Sequence, residues 1–340
     1  MRKKVSLKDI ANKVGVSTAL VSYVLNNQKE GRISKIVAQK IRDAAKELNY
    51  FTNQIAKSLK TNKTFTIGLI LSDIANPFSS SLARIIEDEA EKSNYTVIFG
   101  SSDEIAERSC KLINVLLNRQ VDGMIIASAE NTESQILYLK ELEIPFVLID
   151  RYFPEINVSH VAIDNYKAAY TAVKHLIDNG NKKIGMVTYN SSLYNLQERK
   201  RGCIAALRDH NLEVKDEWIK EVSILNDEVE IEKIFNELIS SPEKVEALLF
   251  GSNILSTYGL KYINRHQIKV PDQLSIVSFD QSDASSLFYA PLTHIKQPLQ
   301  EMGQLVTKIL LDSMGENDHE IVHVNMEAEL VIGKSTQRSF

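Results

Sequence analysis

At 340 residues the chain exceeds a single core of about 100–200 residues, so two or three domains are expected. Its 44% hydrophobic and 25% charged residues exclude a disordered, collagen-like or low-complexity protein, and no run approaches the ~18 apolar residues of a membrane-spanning helix. The net charge of −4 conceals an asymmetry: residues 1–64 hold 14 Lys/Arg against 4 Asp/Glu, the remainder 26 against 40, so a basic module suited to a polyanion precedes an acidic one.

Met1-Arg2-Lys3-Lys4 could open an export signal, but Lys8, Asp9, Asn12 and Lys13 interrupt any apolar stretch behind it, and a cytoplasmic protein is expected. Cys110 and Cys203 lie far apart, without the spacing of a disulfide framework or a zinc site. Leu7, Ile10, Ala11 and Val14 recur at helical spacing, predicting a short helix over residues 7–13 capped by Ser6 and ended by a left-handed Gly15. Ser17 caps a second helix that buries Val21, Val24 and Leu25 and stops at Asn26-Asn27. A third starts at Ser34, with Val37, Ile41, Ala44, Ala45 and Leu48 on one face. Two short helices about a glycine turn, braced by a third, describe a helix-turn-helix.

The strings Val5-Ser6-Leu7-Lys8-Asp9-Ile10-Ala11, Gly15-Val16-Ser17, Val21-Ser22-Tyr23-Val24-Leu25-Asn26 and Glu47-Leu48-Asn49-Tyr50 resemble the LacI (lactose repressor) family of bacterial transcription regulators. In a helix-turn-helix the second helix enters the major groove, which makes Thr18, Ala19 and Tyr23 candidate base readers and Ser17 and Ser22 candidate phosphate ligands. Ala19 can offer only a methyl, to a thymine methyl or to nothing. Tyr23 stands where the family often has arginine and cannot make a bidentate contact to guanine, so the family's usual operator is not expected here. Lys29 and Arg32 are read as a solvated loop, with phosphate contact the alternative. The resemblance further implies DNA contacts by Asn26 and Tyr50. Residues 53–60 resemble the family's hinge helix, far below the ~12–15 residues needed for stability alone and so expected to order with a partner's copy on DNA. Asn53 and Ala56 are its implied contacts, and Leu59 its wedge into the minor groove. The alternative, packing of Ile55 and Leu59 on the core, fits poorly with the polar Thr61-Asn62-Lys63-Thr64.

From Phe65 strands and helices alternate. Expected strands are 66–71, 96–99, 123–127 and 146–149, with a helix from Pro77 to Ser93, then a second series at 184–188, 247–250 and 275–279. The implied fold is a small all-α helix-turn-helix domain plus an α/β periplasmic-binding-protein-like core of two doubly wound parallel-sheet subdomains. The expected boundaries are 1–52 for the DNA-binding domain, 53–64 for hinge helix and linker, and 65–340 for an effector-binding and dimerisation core. Within it the N-subdomain takes about 65–163 and 295–322, the C-subdomain about 164–294 and 323–340.

Open α/β sheets bind ligands beyond the carboxyl ends of their strands. Those ends carry Ser72-Asp73, Ser128 and Asp150-Arg151 in the first series, and Thr188-Tyr189-Asn190, Ser252-Asn253 and Asp280 in the second. Two such edges face to face make a cleft able to grip several hydroxyls, with Phe78 as an aromatic wall. Arg199, in Arg199-Lys200-Arg201-Gly202, matches the family's effector-binding arginine. The implied effector set is Asp73, Phe78, Ser128, Arg151, Arg199, Asn253 and Asp280. Capping or hinge roles are the alternative for Asp150 and Asp280; Trp218, which precedes a strand, reads as packing; Tyr152, Phe153 and Tyr194 fall in cleft-edge loops.

No Gly-x-Ser-x-Gly elbow or His-Glu-x-x-His helix occurs. Gly333-Lys334-Ser335 imitates a phosphate loop, but the required earlier glycine is Ala328 and the run is strand-like. His319 and His323 are not expected to bind metal. No enzyme activity, cofactor or metal is therefore expected. The expected function is sequence-specific, DNA-binding transcriptional repression by a homodimer on a near-palindromic operator, controlled by a small polar effector, a sugar or sugar derivative. A solute-binding protein without a transcriptional role is the alternative; it leaves the basic module unexplained.

Overall fold

The computed structural model describes residues 5–26, 32–50, 63–223, 228–240, 242–315 and 320–337, and the chain divides into two units, Met1–Thr64 and Phe65–Phe340. The expected hinge residues Asn53, Ala56 and Leu59 lie outside the described residues.

In the first unit, α1 (Leu7–Val14) starts at a capping box: the Asp9 backbone N–H donates to Ser6 Oγ, and Asp9 Oδ2 accepts from the Ser6 N–H at 2.8 Å. It ends at Gly15 with φ +77°, the left-handed turn a side chain would disfavour. Ser17 caps α2 (Thr18–Leu25) by accepting from the Leu20 N–H at 3.2 Å. The third helix, α3 (Lys35–Glu47), begins at Ser34 without a side-chain cap. Ile10, Val21 and Ile41, one from each helix, are wholly buried at the centre of a small core with Ala11, Val24, Ala44 and Ala45.

The second unit contains, in chain order, β1 (Thr66–Leu71), α4 (Pro77–Lys92), β2 (Thr96–Ser101), α5 (Ala106–Asn118), β3 (Gly123–Ile126), α6 (Glu133–Glu141), β4 (Phe146–Ile149), β5 (His160–Ile163), α7 (Asn165–Asp178), β6 (Ile184–Tyr189), α8 (Tyr194–Asp209), β7 (Ile219–Val222), α9 (Glu228–Ser240), β8 (Ala247–Phe250), α10 (Asn253–Arg265), β9 (Ser275–Phe279), α11 (Asp283–Leu287), β10 (Thr293–Lys296), α12 (Leu299–Ser313), β11 (His323–Met326) and β12 (Glu329–Val331). They form two six-stranded sheets, β11-β5-β4-β3-β1-β2 and β12-β10-β9-β8-β6-β7. The central strands read as unbroken apolar runs because helices cover both sheet faces.

The chain crosses between sheets after β5, after β10 and after β11. Two expected boundaries shift in consequence. All of β10 belongs to the second sheet, and 323–326 belongs to the first, where β11 runs parallel to β5 and satisfies that edge's backbone groups. The second sheet is not wholly parallel, since β12 is antiparallel to β10. The strand-like reading of the run from Ala328 to Ser335 holds for β12 and not beyond it. Lys334–Thr336 is a 3₁₀ turn, pinned by Ser335 Oγ, which donates to the Ile276 carbonyl at 2.6 Å and accepts from the Thr293 N–H at 2.8 Å. Trp218 packs as expected: it is buried and donates from Nε1 to the Glu243 carbonyl at 3.0 Å.

At the β5–β11 edge His160 is stacked between Tyr152 and His323, with ring centroids 3.8 and 4.7 Å away. Burial, with the neighbouring His323, holds the His160 imidazole down to about 4 from its ordinary 6.5. An unfolded chain takes up this proton below pH 6.5 while the folded one resists until about 4, so the neutral ring's contribution to stability is lost as pH falls through that window. His160→Gln is expected to make the acid-side decline of the thermal midpoint shallower between those values; a decline as steep as wild type would assign it to other groups.

Candidate functional site

Two surfaces carry the sequence candidates. On the first unit, Ser17, Thr18 and Ala19 are exposed at the start of α2, while Val21 and Val24 one turn on are buried. The helical period therefore packs the middle of α2 and presents its first turn to solvent. Ser22 and Tyr23 are half-buried. Asn26 bonds back onto its own helix, donating from Nδ2 to the Ser22 carbonyl at 2.8 Å and to Ser22 Oγ at 3.3 Å. Tyr50 packs against the three-helix core.

On the second unit the strand ends of both sheets converge on one cleft, which holds about 670 Å³ of space not filled by atoms, open solvent included. Asp73, Phe78, Arg151, Arg199, Asn253 and Asp280 all line it. Asp150 and Asp280 occupy matching places. Each follows the last residue of a strand, in the left-handed region with φ +66° and +64°. Each also donates its N–H to the next strand, to Val161 O at 2.8 Å and Ile295 O at 3.0 Å. Aspartate tolerates that conformation better than most residues, which suits it to a strand end that must turn abruptly.

The two arginines are held firmly. Arg151 forms a bidentate pair with Glu104, at 2.5 and 2.7 Å, and lies 3.6 Å from Asp150. Arg199 is buried; its Nε donates to Asn165 Oδ1 and its Nη1 to the Gly251 carbonyl, both at 2.8 Å, with the guanidinium 4.0 Å from the centre of the Phe279 ring. Asn253 reaches across the cleft, donating to Asn76 Oδ1 at 2.9 Å. Tyr152 and Tyr194 meet edge-on at 5.1 Å, one from each half.

Ser128 does not join the lining. It lies two residues beyond β3, is wholly buried, and its carbonyl accepts from Arg151 Nη1 at 3.3 Å. Asn76, Glu104, Asn195 and Gln297 line the cleft without having been singled out from sequence. Glu104 was recoverable: β2 runs two residues beyond Phe99, and the strand-end rule applied there leads to it. Asn195 lies in the first turn of a helix and Gln297 in a crossover, positions that carry no such signal. Among the described residues no group of three or more His, Cys, Asp or Glu could hold a metal, and no helix is long and apolar enough to cross a membrane.

Residues 6–53 match the family described as bacterial regulatory proteins, lacI family, and residues 64–332 match periplasmic binding proteins and sugar binding domain of LacI family. The chain is 30% identical over 335 residues to the HTH-type transcriptional repressor PurR of Aliivibrio salmonicida, covering 98% of this chain and 99% of that one. The lac repressor dimer bound to operator and the anti-inducer ONPF shares the fold with a TM-score of 0.86 at 22% identity, over 99% of this chain and 100% of that one. A transcriptional regulator CelR–cellobiose complex does so at 0.72 and 22%, over 98% and 100%.

The cleft's carboxylates are held at a cost. Burial pushes both Asp150 and Asp280 above the usual aspartate range, against the pull of Arg151 and Arg199 on the first and of Arg199 on the second. A raised folded-state value means that the penalty is absent at low pH and appears as pH rises through that value. Asp150→Asn should therefore raise the ligand-free thermal midpoint by a few degrees at pH 8, a gain that shrinks towards the carboxylate range. Calorimetry across pH checks this, and a lower midpoint at pH 8 would show that the attraction to Arg151 outweighs burial.

Proposed function

The chain belongs to the LacI family of bacterial regulatory proteins, and from that premise we propose how this member divides recognition between its two units. The family's members are DNA-binding transcriptional repressors, not enzymes, and the helix-turn-helix match sets aside a solute-binding protein without a transcriptional role. Ser17, Thr18, Ala19, Ser22 and Tyr23 meet the operator from α2 in the major groove, the serines on phosphate and the other three on base edges. The exposed first turn of α2 supports this reading. It works in the cytoplasm, where operator DNA is, with hinge contacts from Asn53, Ala56 and Leu59.

The effector is a sugar or sugar derivative bound by Asp73, Phe78, Arg151, Arg199, Asn253 and Asp280. The observation that carries this reading is the convergence of four carboxylates, two guanidiniums and several amides on one cleft between two sheets. Carboxylates accept from hydroxyls, guanidiniums donate to them, and Phe78 covers the apolar face of a ring. Effector and operator binding to one protein are linked reciprocally.

A single helix-turn-helix reads few base pairs, so the protein acts as a dimer. The pairing surface proposed is the β2 edge of the first sheet, where Ile98 and Phe99 are 41% and 58% exposed on a strand with one free side. Apolar side chains on an open edge are a liability unless covered.

Two measurements test the assignment. In anisotropy titrations against upstream DNA, Arg199→Ala should retain operator affinity and lose the effector-induced change. An unaltered response removes Arg199 from the site. In sedimentation velocity, Phe99→Asp should shift the protein towards monomer and weaken operator binding by tenfold or more, on the order of 1.4 kcal/mol; an intact dimer places the interface elsewhere.

A further inference from the structure

The cleft's hydrogen-bonding inventory is lopsided. Asn76 Oδ1 accepts from the Phe78 N–H at 3.0 Å, which fixes that amide's orientation. Asn253 must then present Nδ2 to Asn76, which leaves Asn253 Oδ1 buried with no partner. Gln297 donates from Nε2 to Asp280 Oδ1 at 2.7 Å, and since a carboxylate oxygen can only be met by the amide's nitrogen, Gln297 Oε1 is likewise left without a partner. Asp150 Oδ1 is a third buried oxygen in the same condition. All three residues line the cleft and are more than nine-tenths buried. Buried acceptors left unmet are costly, so a ligand that supplies donors gains from each of them.

Charge points the same way. The lining carries Asp73, Glu104, Asp150 and Asp280 against Arg151 and Arg199, four acids to two bases. Glu104 occupies Arg151 through two bonds, and Arg199 spends Nε and Nη1 on Asn165 and Gly251. Two of the helix N-termini at the cleft, the usual anion donors, are also engaged, while that of α8 has no side-chain cap: Asn76 caps Phe78, Pro77 has no N–H, and Ser252 Oγ accepts from the Leu255 N–H at 3.2 Å. Were Asp150 and Asp280 both to hold a proton, the lining would reach neutrality and still not become cationic.

Resting on the sugar reading above, we infer that the cleft takes a donor-rich ligand without an anionic group, an uncharged or amino-substituted polyol, and rejects the phosphorylated and carboxylated forms of the same compounds. Hydroxyl and ammonium hydrogens meet the orphaned oxygens of Asp150, Asn253 and Gln297. Arg151 Nε and Arg199 Nη2 take the lone pairs of the same hydroxyls. A phosphate or carboxylate brings acceptors only, and lands among four carboxylates where Arg199 is the one lining cation not held in a salt bridge.

The test is isothermal titration of the full chain with matched sets of pentoses, hexoses and disaccharides, each as parent sugar, 2-amino sugar, phosphate ester and uronic acid. The parent or amino form of the recognised sugar should bind, with its phosphate and uronate weaker by roughly a hundredfold. A phosphate or uronate that binds as tightly as its parent overturns the inference and leaves the sugar reading intact. Silence across every set, with binding of a nucleobase instead, overturns the sugar reading and this inference with it. Glu104→Gln releases Arg151 and should narrow the gap between phosphate and parent by roughly tenfold. Asp73→Asn, at the half-exposed rim, lowers the acid count without breaking a buried pair and should narrow it in the same direction. A gap unchanged in both variants, each verified as folded by its thermal transition, overturns the charge argument.

Discussion

The cleft depends on keeping a buried cation, Arg199, in one place. A guanidinium only 4% exposed would cost several kcal/mol to desolvate if its donors went unmet. Three separate parts of the chain meet that cost: the side chain of Asn165 at the crossover from the first sheet, the Gly251 carbonyl beyond β8, and the ring of Phe279 at the end of β9. Asp280 adds an attractive field from the next residue along. The arginine is thus positioned only when the crossover and the second sheet are assembled together. Because Asn165 opens the helix that follows β5, Arg199 is bonded to a segment that joins the two halves of the cleft.

The same logic of unpaid polar groups runs through the cleft. Arg151 and Glu104 neutralise one another, Asn76 is used up as a helix cap, and Gln297 donates to Asp280. What remains unmet is mostly acceptor. A binding site of this kind is tolerated by the fold rather than stabilised by it, since burial raises Asp150 and Asp280 and leaves oxygens without partners. The large apolar clusters behind both sheets supply the stability that this concentration of polar atoms draws on.

Charge is partitioned between the units for a related reason. The first 64 residues are basic and the rest acidic. A polyphosphate backbone is attracted to the one and repelled by the other, which favours DNA contact by the first unit over the second. Keeping the two kinds of recognition on separate units also lets each keep its own core, small and three-helical in one, two-sheeted in the other.

How far the amino-acid order reached can be judged from particular residues. Caps and periodicity act over four residues or fewer, so Ser6, Gly15 and Ser17 placed the helices of the first unit, and unbroken apolar runs placed the central strands of the second. Strand ends then pointed to Asp73, Arg151, Asn253 and Asp280. The strands β5, β10 and β11 were not legible, because His160, Thr293-His294 and His323 with Asn325 interrupt their apolar runs, and they acquire strand character from the neighbours they pair with. Sequence alone therefore determined the division into a basic helical unit and an acidic α/β unit, and most of the charged residues at the cleft. Tertiary structure decided which of them are already committed: Glu104 to Arg151 across 47 residues, Asn76 to Asn253 across 177. Hydrogen-bond partnership between distant segments has no local signature, and it is that partnership which selects the ligand's charge.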